Sequence, residues 1–313
     1  MTEVLINKTE CGQRLDKFMS KYLGEFPMSY IYKAFRTNKI KLNGKKPKGS
    51  EKLNPGDSIK IFLQTEQAKV KAPKLTKHFK IIYEDENILI VDKPIGMLTQ
   101  KATKRDISLA DEVLSYLDEK GELESLNGFK PAPSNRLDRN TSGLVLIGKN
   151  QVSSVALSQM LKEKSIVKSY LALVKGTILK SLTINAFHRK LPDKNEVQIL
   201  DYKADGTKEI VTKITPLEQK ENVTLIEVQL ITGKTHQIRA QLKELKHPIV
   251  GDYKYGDVNL NNYFKQKYNL TSQLLCSYKV KFENCNNILS YLEDRVFIAF
   301  VPTMFSKILD KDS

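Results

Sequence analysis

The 313-residue chain has no tryptophan, three cysteines and four histidines, and each shortage closes a route. Cys11, Cys276 and Cys285 are an odd number at no metal-like spacing, so no disulfide framework is written here and a reduced cytoplasm is the expected compartment. His78, His188, His236 and His247 stand far apart, without the close pairs that announce a zinc site. No apolar run approaches the ~20 residues of a membrane span. The acidic start MTEVLINKTE lacks the basic and then apolar order of a signal peptide. Also missing are internal repeats, low-complexity tracts, a P-loop, a dinucleotide fingerprint and a nucleophile elbow around a serine. What survives is chemistry without metal or cofactor, carried by acids, arginines, lysines and tyrosines.

Positive charge is in excess. The formal balance is +15; residues 1–80 hold 18 Lys and Arg against 7 Asp and Glu, the other 233 residues 33 against 29. A basic face concentrated in the first quarter suits a polyanion such as RNA, DNA or an acidic membrane, and it also suits plain solvation. A chain of this length accommodates two domains, each with its own core.

Over residues 12–23, Leu15, Phe18, Met19 and Tyr22 recur at helical spacing, with Arg14, Lys17 and Lys21 on the other face. Pro27 and Ser29 mark a second helix start, with Ile31, Ala34 and Phe35 inward and Lys33 and Arg36 elsewhere, one turn apart. Residues 39–42 alternate as a strand carrying Lys39 and Lys41, Asn43-Gly44 predicts a tight hairpin, and residues 58–62 alternate again. The segments RLDKFM, SYIYKAFRTNKIKLNGK and LNPGDSIKIF resemble the S-four RNA-binding domain. That resemblance implies that the second helix and the strand after it face RNA. Lys33, Arg36, Lys39 and Lys41, with Arg14 as a weaker member, are the candidate contacts. Such charges act on phosphates, giving affinity and orientation more than sequence reading. Residues 65–77, polar and lysine-rich, read as a flexible linker.

Downstream, strands are predicted at 80–83, 88–91, 168–174, 197–200, 208–214, 223–230, 277–282 and 295–301, with turns at Ala204-Asp205-Gly206 and Thr215-Pro216. One predicted helix follows Ser108, with Leu109, Val113 and Leu117 inward. A second spans 152–164, with Val155, Ala156 and Met160 on one face. A third follows His236, with Ile238, Leu242 and Leu245 inward, and ends at His247-Pro248. The expected class is α+β: a small helix–helix–hairpin RNA-binding domain over 1–66, a basic linker over 67–78, and a catalytic domain over 79–313. The catalytic domain is expected to hold a mixed, mainly antiparallel sheet with flanking helices.

Residues 135–150, NRLDRNTSGLVLIGKN, join a charged loop to the apolar run 144–147. Loops anchored on buried strands are where reactive groups tend to sit, and Asp138 lies between Arg136 and Arg139. By residue type alone, Asp138 before a Thr-Ser-Gly turn is equally a capping residue, Tyr170 a core residue and Arg239 half of a surface ion pair.

NRLDRNTSGLVLIGK is similar to the central motif of the RluA-type pseudouridine synthases. YEDENILIVDKPIGM, KSYLALVKG and LITGKTHQIRAQLKELKHPIVGDYKYG match further family motifs in the same order, over about residues 80–305. The resemblance implies that a uracil in RNA is detached from its ribose, turned, and rejoined through carbon. Asp138 falls on the catalytic aspartate. A carboxylate there could attack the anomeric carbon, attack the uracil ring or remove a sugar proton, and the sequence leaves all three open. Arg239 matches the arginine that pairs with that aspartate. Tyr170 matches the tyrosine packed on uracil, with Lys168 of the same motif as a substrate contact. Arg136 matches a residue that enters the helix a flipped nucleotide leaves. Leu144, Val145 and Ile238 are expected to wall the pocket. Asn135 stands where many members have His, which excludes proton transfer there, and residues 97–100 depart from the usual loop. The implied partner is structured RNA, ribosomal RNA of the large subunit ahead of transfer RNA, with no membrane and no second copy of the chain. A non-catalytic RNA-binding or ribosome-assembly factor is the competing reading; the joint presence of Asp138, Tyr170 and Arg239 weighs against it.

Overall fold

Four consecutive apolar residues without alternation, 144–147, can be satisfied only in a strand covered on both faces. The computed structural model puts them there, at 0% exposure, in β7. It describes residues 2–7, 10–23, 26–62, 72–123, 126, 129–191 and 196–309. The chain divides into two compact units. One comprises Met1–Lys77, Ala110–Ala132 and Gly148–Val155; the other comprises His78–Leu109, Pro133–Ile147 and Ala156–Ser313.

In the first unit, β1 (Thr2–Leu5), α1 (Leu15–Tyr22), α2 (Met28–Arg36), β2 (Ile40–Leu42) and β3 (Ser58–Ile61) form a small module. Its antiparallel sheet has the order β1-β3-β2. Leu15, Phe18, Met19 and Tyr22 on α1 and Ile31, Ala34 and Phe35 on α2 enter one core with Ile40, Ile59 and Ile61. Each such side chain contributes about 1.5–3 kcal/mol by leaving water. Asn43 (φ 49°) and Gly44 (φ 75°) make the expected two-residue turn, closed between Leu42 and Lys45. The hairpin does not continue from it: β2 pairs instead with β3, and the Asn43 side chain spans the gap, accepting from Ser58 N and donating to Asp57. β1, four residues at Thr2–Leu5, lies outside the expected elements. Of the stretch read as a linker, residues 65–71 lie outside the described residues, and 72–78 carry neither helix nor strand.

The same unit holds most of α3 (Leu109–Glu119), in which Leu109, Val113 and Leu117 are buried as expected.

The second unit is organised by an 11-stranded sheet. Its path joins β4 (Lys80–Glu84), β5 (Ile88–Lys93), β7 (Ser142–Gly148), β8 (Ile166–Lys175), β9 (Leu182–Leu191), β10 (Glu196–Leu200), β11 (Lys208–Lys220), β12 (Val223–Leu230) and β13 (Leu275–Phe282) in the order β10-β9-β11-β12-β8-β13-β7-β5-β4. Two short strands lie off the path: β6 (Ala132–Pro133) pairs with β7, and β14 (Val296–Ile298) with β13. The pairings among β8 to β13, that of β4 with β5 and that of β13 with β14 are antiparallel, and β13–β7 is parallel at Cys276–Ser142 and Ser277–Gly143. Gly143 sits at φ 111°, and a Cβ there would lie 2.1 Å from the Ser277 carbonyl oxygen, so only glycine fits this seam.

α4 (Gln151–Glu163), α6 (Val258–Tyr268) and α7 (Thr303–Leu309) supply Ala156, Leu157, Met160, Phe264, Phe305 and Ile308 to the main core. α5 (Gln237–Glu244) buries Ala240 in a second core with Ala186, Ile199, Ile210 and Tyr255.

Several readings need correction. Val155 is exposed (58%), and Leu157 takes the inward place on α4. Thr215-Pro216 is not a turn: β11 runs through it with a register shift between Pro216 and Glu218, since a bulge absorbs the hydrogen bond that proline cannot donate. β9, α6 and α7 lie outside the expected elements, α6 because its sequence VNLNNYFKQKY is polar on most faces. Among the described residues no helix is long and apolar enough to cross a membrane.

Candidate active site

The loop between β6 and β7, residues 134–141, is tied down residue by residue. Ser134 N donates to Leu146 O (2.7 Å). Asn135 acts as an extra backbone unit beside β7: its Oδ1 accepts from Leu146 N (2.8 Å) and its Nδ2 donates to Leu144 O (3.2 Å). A hydrogen-bonding role therefore replaces any proton transfer at this position. Thr99 Oγ1 accepts from Leu137 N (3.1 Å) and donates to Leu137 O (2.9 Å). Residues 97–100 thus brace the loop.

Beneath the loop, Lys93 is fully buried, and its ammonium donates to the carbonyls of Pro94, Met97 and Arg139. Burial lowers its pKa to about 8, against the opposing charges of Asp138 and Asp92.

At the head of this loop the Asp138 side chain is 28% exposed. Its Oδ2 accepts from Arg239 Nη1 (2.8 Å); among the described residues Oδ1 accepts no hydrogen bond. Arg239, on the buried face of α5, spends the rest of its fork on Asp252, with Nε to Oδ2 at 2.7 Å and Nη2 to Oδ1 at 2.9 Å. Asp252 Oδ1 also accepts from Lys254 N and Tyr255 N. Burial alone would raise the Asp252 pKa, but the hydrogen bonds and charge of Arg239 lower it. Burial alone would lower Arg239, but Asp252 and then Asp138 raise it. The guanidinium is permanently charged and already aligned before a substrate arrives.

Asp138 and Arg239 open into a cleft of about 790 Å³, which Tyr170 of β8 also lines. Tyr170 is 6% exposed, and burial pushes its phenol up to about 12, so it remains neutral. Leu98, Leu161, Leu230, Ile238 and Leu275 supply apolar wall. Ile238 is where it was expected. Leu144 and Val145 are not: both point into the covered strand at 0% exposure and reach no cleft surface. Arg136, Arg139, Lys162, Lys168, Lys234 and Lys254 also line the cleft, and among the described residues Asp138 is its only acid. Burial lowers the Lys168 pKa.

The candidates of the N-terminal module lie in the other unit. Lys33, Arg36 and Lys39 are exposed, and Lys41 lies over the Phe62 ring at 5.6 Å. Arg14 is committed to Asp16 through Nε and Nη2 (3.1 and 2.7 Å), which makes it the weakest of the five as a contact.

Sequence reasoning passed over Lys93, Asp252, Tyr255 and His236. All four lie inside the motifs quoted above, but no spacing rule marks them: Asp252 is 13 residues from its partner, and His236 had been set aside for want of a second histidine. Among the described residues no group of three or more His, Cys, Asp or Glu could hold a metal ion.

Comparison with known proteins agrees with this geometry. A family model described as RNA pseudouridylate synthase matches residues 87–244. The chain is 33% identical to Ribosomal large subunit pseudouridine synthase C of Rickettsia conorii over 87% of its own length and 91% of the relative's. It is 35% identical to the protein of that name from Buchnera aphidicola (86% and 85%). Identity is 30% to the RNA pseudouridine synthase YlyB of Bacillus subtilis (81% and 82%). Among solved structures, Human RNA Pseudouridylate Synthase Domain Containing 1 superposes with a TM-score of 0.57 over 75% of this chain and 88% of that one; at 21% identity this shows a shared fold. The sheet, the cleft and the relatives agree: the chain belongs to the RluA-type family of RNA pseudouridine synthases, enzymes that turn uridine in RNA into its carbon-linked isomer.

Proposed function

We propose that this enzyme modifies one or more uridines of large-subunit ribosomal RNA, with Asp138 as the group that reacts with the target nucleotide. The observation that carries the assignment is the one-sided hold on Asp138 at the cleft: Arg239 fixes one carboxylate oxygen, and among the described residues the other accepts no hydrogen bond. The relatives named for the large ribosomal subunit support the choice of RNA. The basic rim suits phosphates on either side of a flipped nucleotide, and flipping costs a few kcal/mol that such contacts offset.

The roles follow from position. Tyr170, neutral and at the cleft wall, offers its ring to the uracil; stacking is worth about 1–3 kcal/mol per base. Arg136, exposed at the mouth, is placed to fill the space the nucleotide leaves. Lys168 meets the substrate from β8. Lys33, Arg36, Lys39 and Lys41, with Arg14 beside them, engage the same RNA through its backbone, residues 1–66 being the RNA-binding domain and 79–313 the catalytic one. The enzyme works as a monomer in the cytoplasm. In the reaction the N1–C1′ bond breaks with its electrons going to the uracil, C5 bonds to C1′, and the hydrogen on C5 leaves to water while N1 takes one up.

That lost hydrogen is the assay. Large-subunit RNA tritiated at uracil carbon five is expected to release tritium with the wild type and not with Asp138→Asn. Equal release from both proteins, or release from transfer RNA alone, would refute the assignment.

A further inference from the structure

The turn before α5 holds a histidine in an uncommon state. His236 has φ 53° and ψ 18°, a left-handed backbone that a non-glycine residue enters at a cost of about 1–3 kcal/mol. Three bonds keep the turn there. His188 Nε2 of β9 meets Thr235 O at 2.9 Å, Lys234 N donates to Gln237 Oε1 at 3.0 Å, and Gln237 N donates to Lys234 O at 3.1 Å. Strain retained beside a reactive carboxylate calls for a chemical reason.

The state of the ring follows from hydrogen-bond accounting. His236 Nδ1 lies 3.0 Å from the Tyr255 hydroxyl, and that hydroxyl already accepts from Val197 N at 3.1 Å. Tyr255 is 4% exposed, and among the described residues its hydroxyl hydrogen has no acceptor other than His236 Nδ1. If Nδ1 carried a hydrogen, the buried phenolic hydrogen would be orphaned, at about 1–3 kcal/mol. So Tyr255 donates, Nδ1 accepts, and the ring hydrogen sits on Nε2. His236 lines the cleft with that atom 3.9 Å from Asp138 Oδ2, too far for a hydrogen bond, so among the described residues the hydrogen has no acceptor.

We propose that His236 is a substrate-contacting residue of this site, its Nε2–H donating a hydrogen bond to the uracil oxygen beside the reacting bond, with Tyr255 as the residue that positions it. This rests on the reading of Asp138 as the group at the nucleotide. When N1–C1′ breaks, the uracil charge spreads onto O2 and O4, and a fixed donor at the nearer oxygen favours that charge as it develops. A half-turn of the ring about its N3–C6 axis exchanges N1 with C5 and O2 with O4. One stationary donor therefore serves O2 before detachment and O4 when carbon is presented. His236 keeps its hydrogen throughout, so the balance of the isomerisation is unchanged.

Neutrality is required, because an imidazolium would compete with Arg239 for Asp138. The charged and titratable groups facing the ring are Asp138, Arg239, Lys254, Asp252 and Tyr255. Burial lowers the His236 pKa; Asp138 opposes this, Arg239 and Lys254 add to it, and Asp252 opposes it again.

The test has two arms. Nitrogen-15 spectra of histidine-labelled full-length protein, without RNA, should show one ring as the neutral Nε2–H tautomer at pH 7.5, moving toward the charged form in Tyr255→Phe. A charged or Nδ1–H ring in the wild type overturns the proposal. In single-turnover tritium release from large-subunit RNA, His236→Ala should lose about 10²-fold, the usual size of one lost donor. His236→Gln, which can return an N–H to the same place, should recover most of that rate. The acid limb of the rate should move to higher pH in Tyr255→Phe, a change that a purely structural histidine would not produce. Wild-type rates in His236→Ala, or no advantage of Gln over Ala, would overturn it. A wild type inactive on this RNA would sink the substrate assignment instead, and the spectra would still decide the tautomer.

Discussion

The tripeptide Arg-Leu-Asp occurs twice in this chain, at 14–16 and at 136–138, and the two copies do opposite things. Asp16 is 4% exposed and saturated: Arg14 binds both of its oxygens, the Lys17 amide donates to Oδ1 and the Tyr32 hydroxyl to Oδ2. Arg14 first, then Tyr32 and the Lys17 amide, hold its carboxyl down at about 2 against the effect of burial. Asp138 ignores its neighbour two residues back. Its partner comes from 101 residues away and takes one oxygen only. The same three residues give a saturated carboxylate where the arginine folds back locally, and a carboxylate held through one oxygen where a distant arginine replaces it, the arrangement on which the proposed reactive role rests. What separates them is how many acceptor sites remain open.

Four results would break or sharpen this contrast. The largest effect is expected for Asp138→Asn: tritium release should fall by about 10⁴-fold or more, in the range of a lost reacting carboxylate. A loss under tenfold would put Asp138 in the same structural class as Asp16. Next, Arg239→Lys keeps the charge but cannot hold Asp138 and Asp252 together. A drop of about 10²-fold in single-turnover rate, with RNA affinity within a few fold, is expected.

Asp16→Asn should leave turnover at saturating RNA unchanged and lower amide-exchange protection in α1 and α2 by about 1–3 kcal/mol. The wild-type module should also lose protection in acid. A carboxyl depressed in the folded state stabilises above its unfolded value of about 3.9, and that contribution fades as pH falls toward about 2. Protection unchanged across that window would show that the Asp16 carboxylate is idle. The smallest effect on rate is expected from Lys33→Gln, Arg36→Gln and Lys39→Gln combined: the salt slope of RNA binding should flatten by roughly 2–3, with catalysis at saturating RNA intact.

The parts legible in the sequence were those written in periodicity or in a contiguous motif. The helices of residues 15–36, the doubly covered strand at 144–147 and the loop carrying Asp138 are local patterns, and local patterns survive folding. Pro216 was read as a turn because proline usually breaks a strand; the bulge that accommodates it belongs to the pairing with β12, which no single segment contains. The resemblance puts Leu144 and Val145 on the pocket wall, but a fully covered strand has no free face. Asp252 and Tyr255 were missed because their partners, Arg239 and His236, are chosen by the docking of α5 against the loop at 251–256. The loop that carries Asp138 is continuous in sequence, and the groups that hold it are assembled by folding.

The seam at Gly143 sets where the specificity of this enzyme can be redesigned. With the Ser277 carbonyl 2.1 Å from where a methyl would be, the β7–β13 seam that follows the Asp138 loop admits no side chain at position 143. Directed evolution aimed at a different uridine would therefore waste its diversity there. Arg139 and Lys234 line the cleft, whereas Gly143 and Ser277 do not, and a library at those two positions is expected to alter which RNA is accepted.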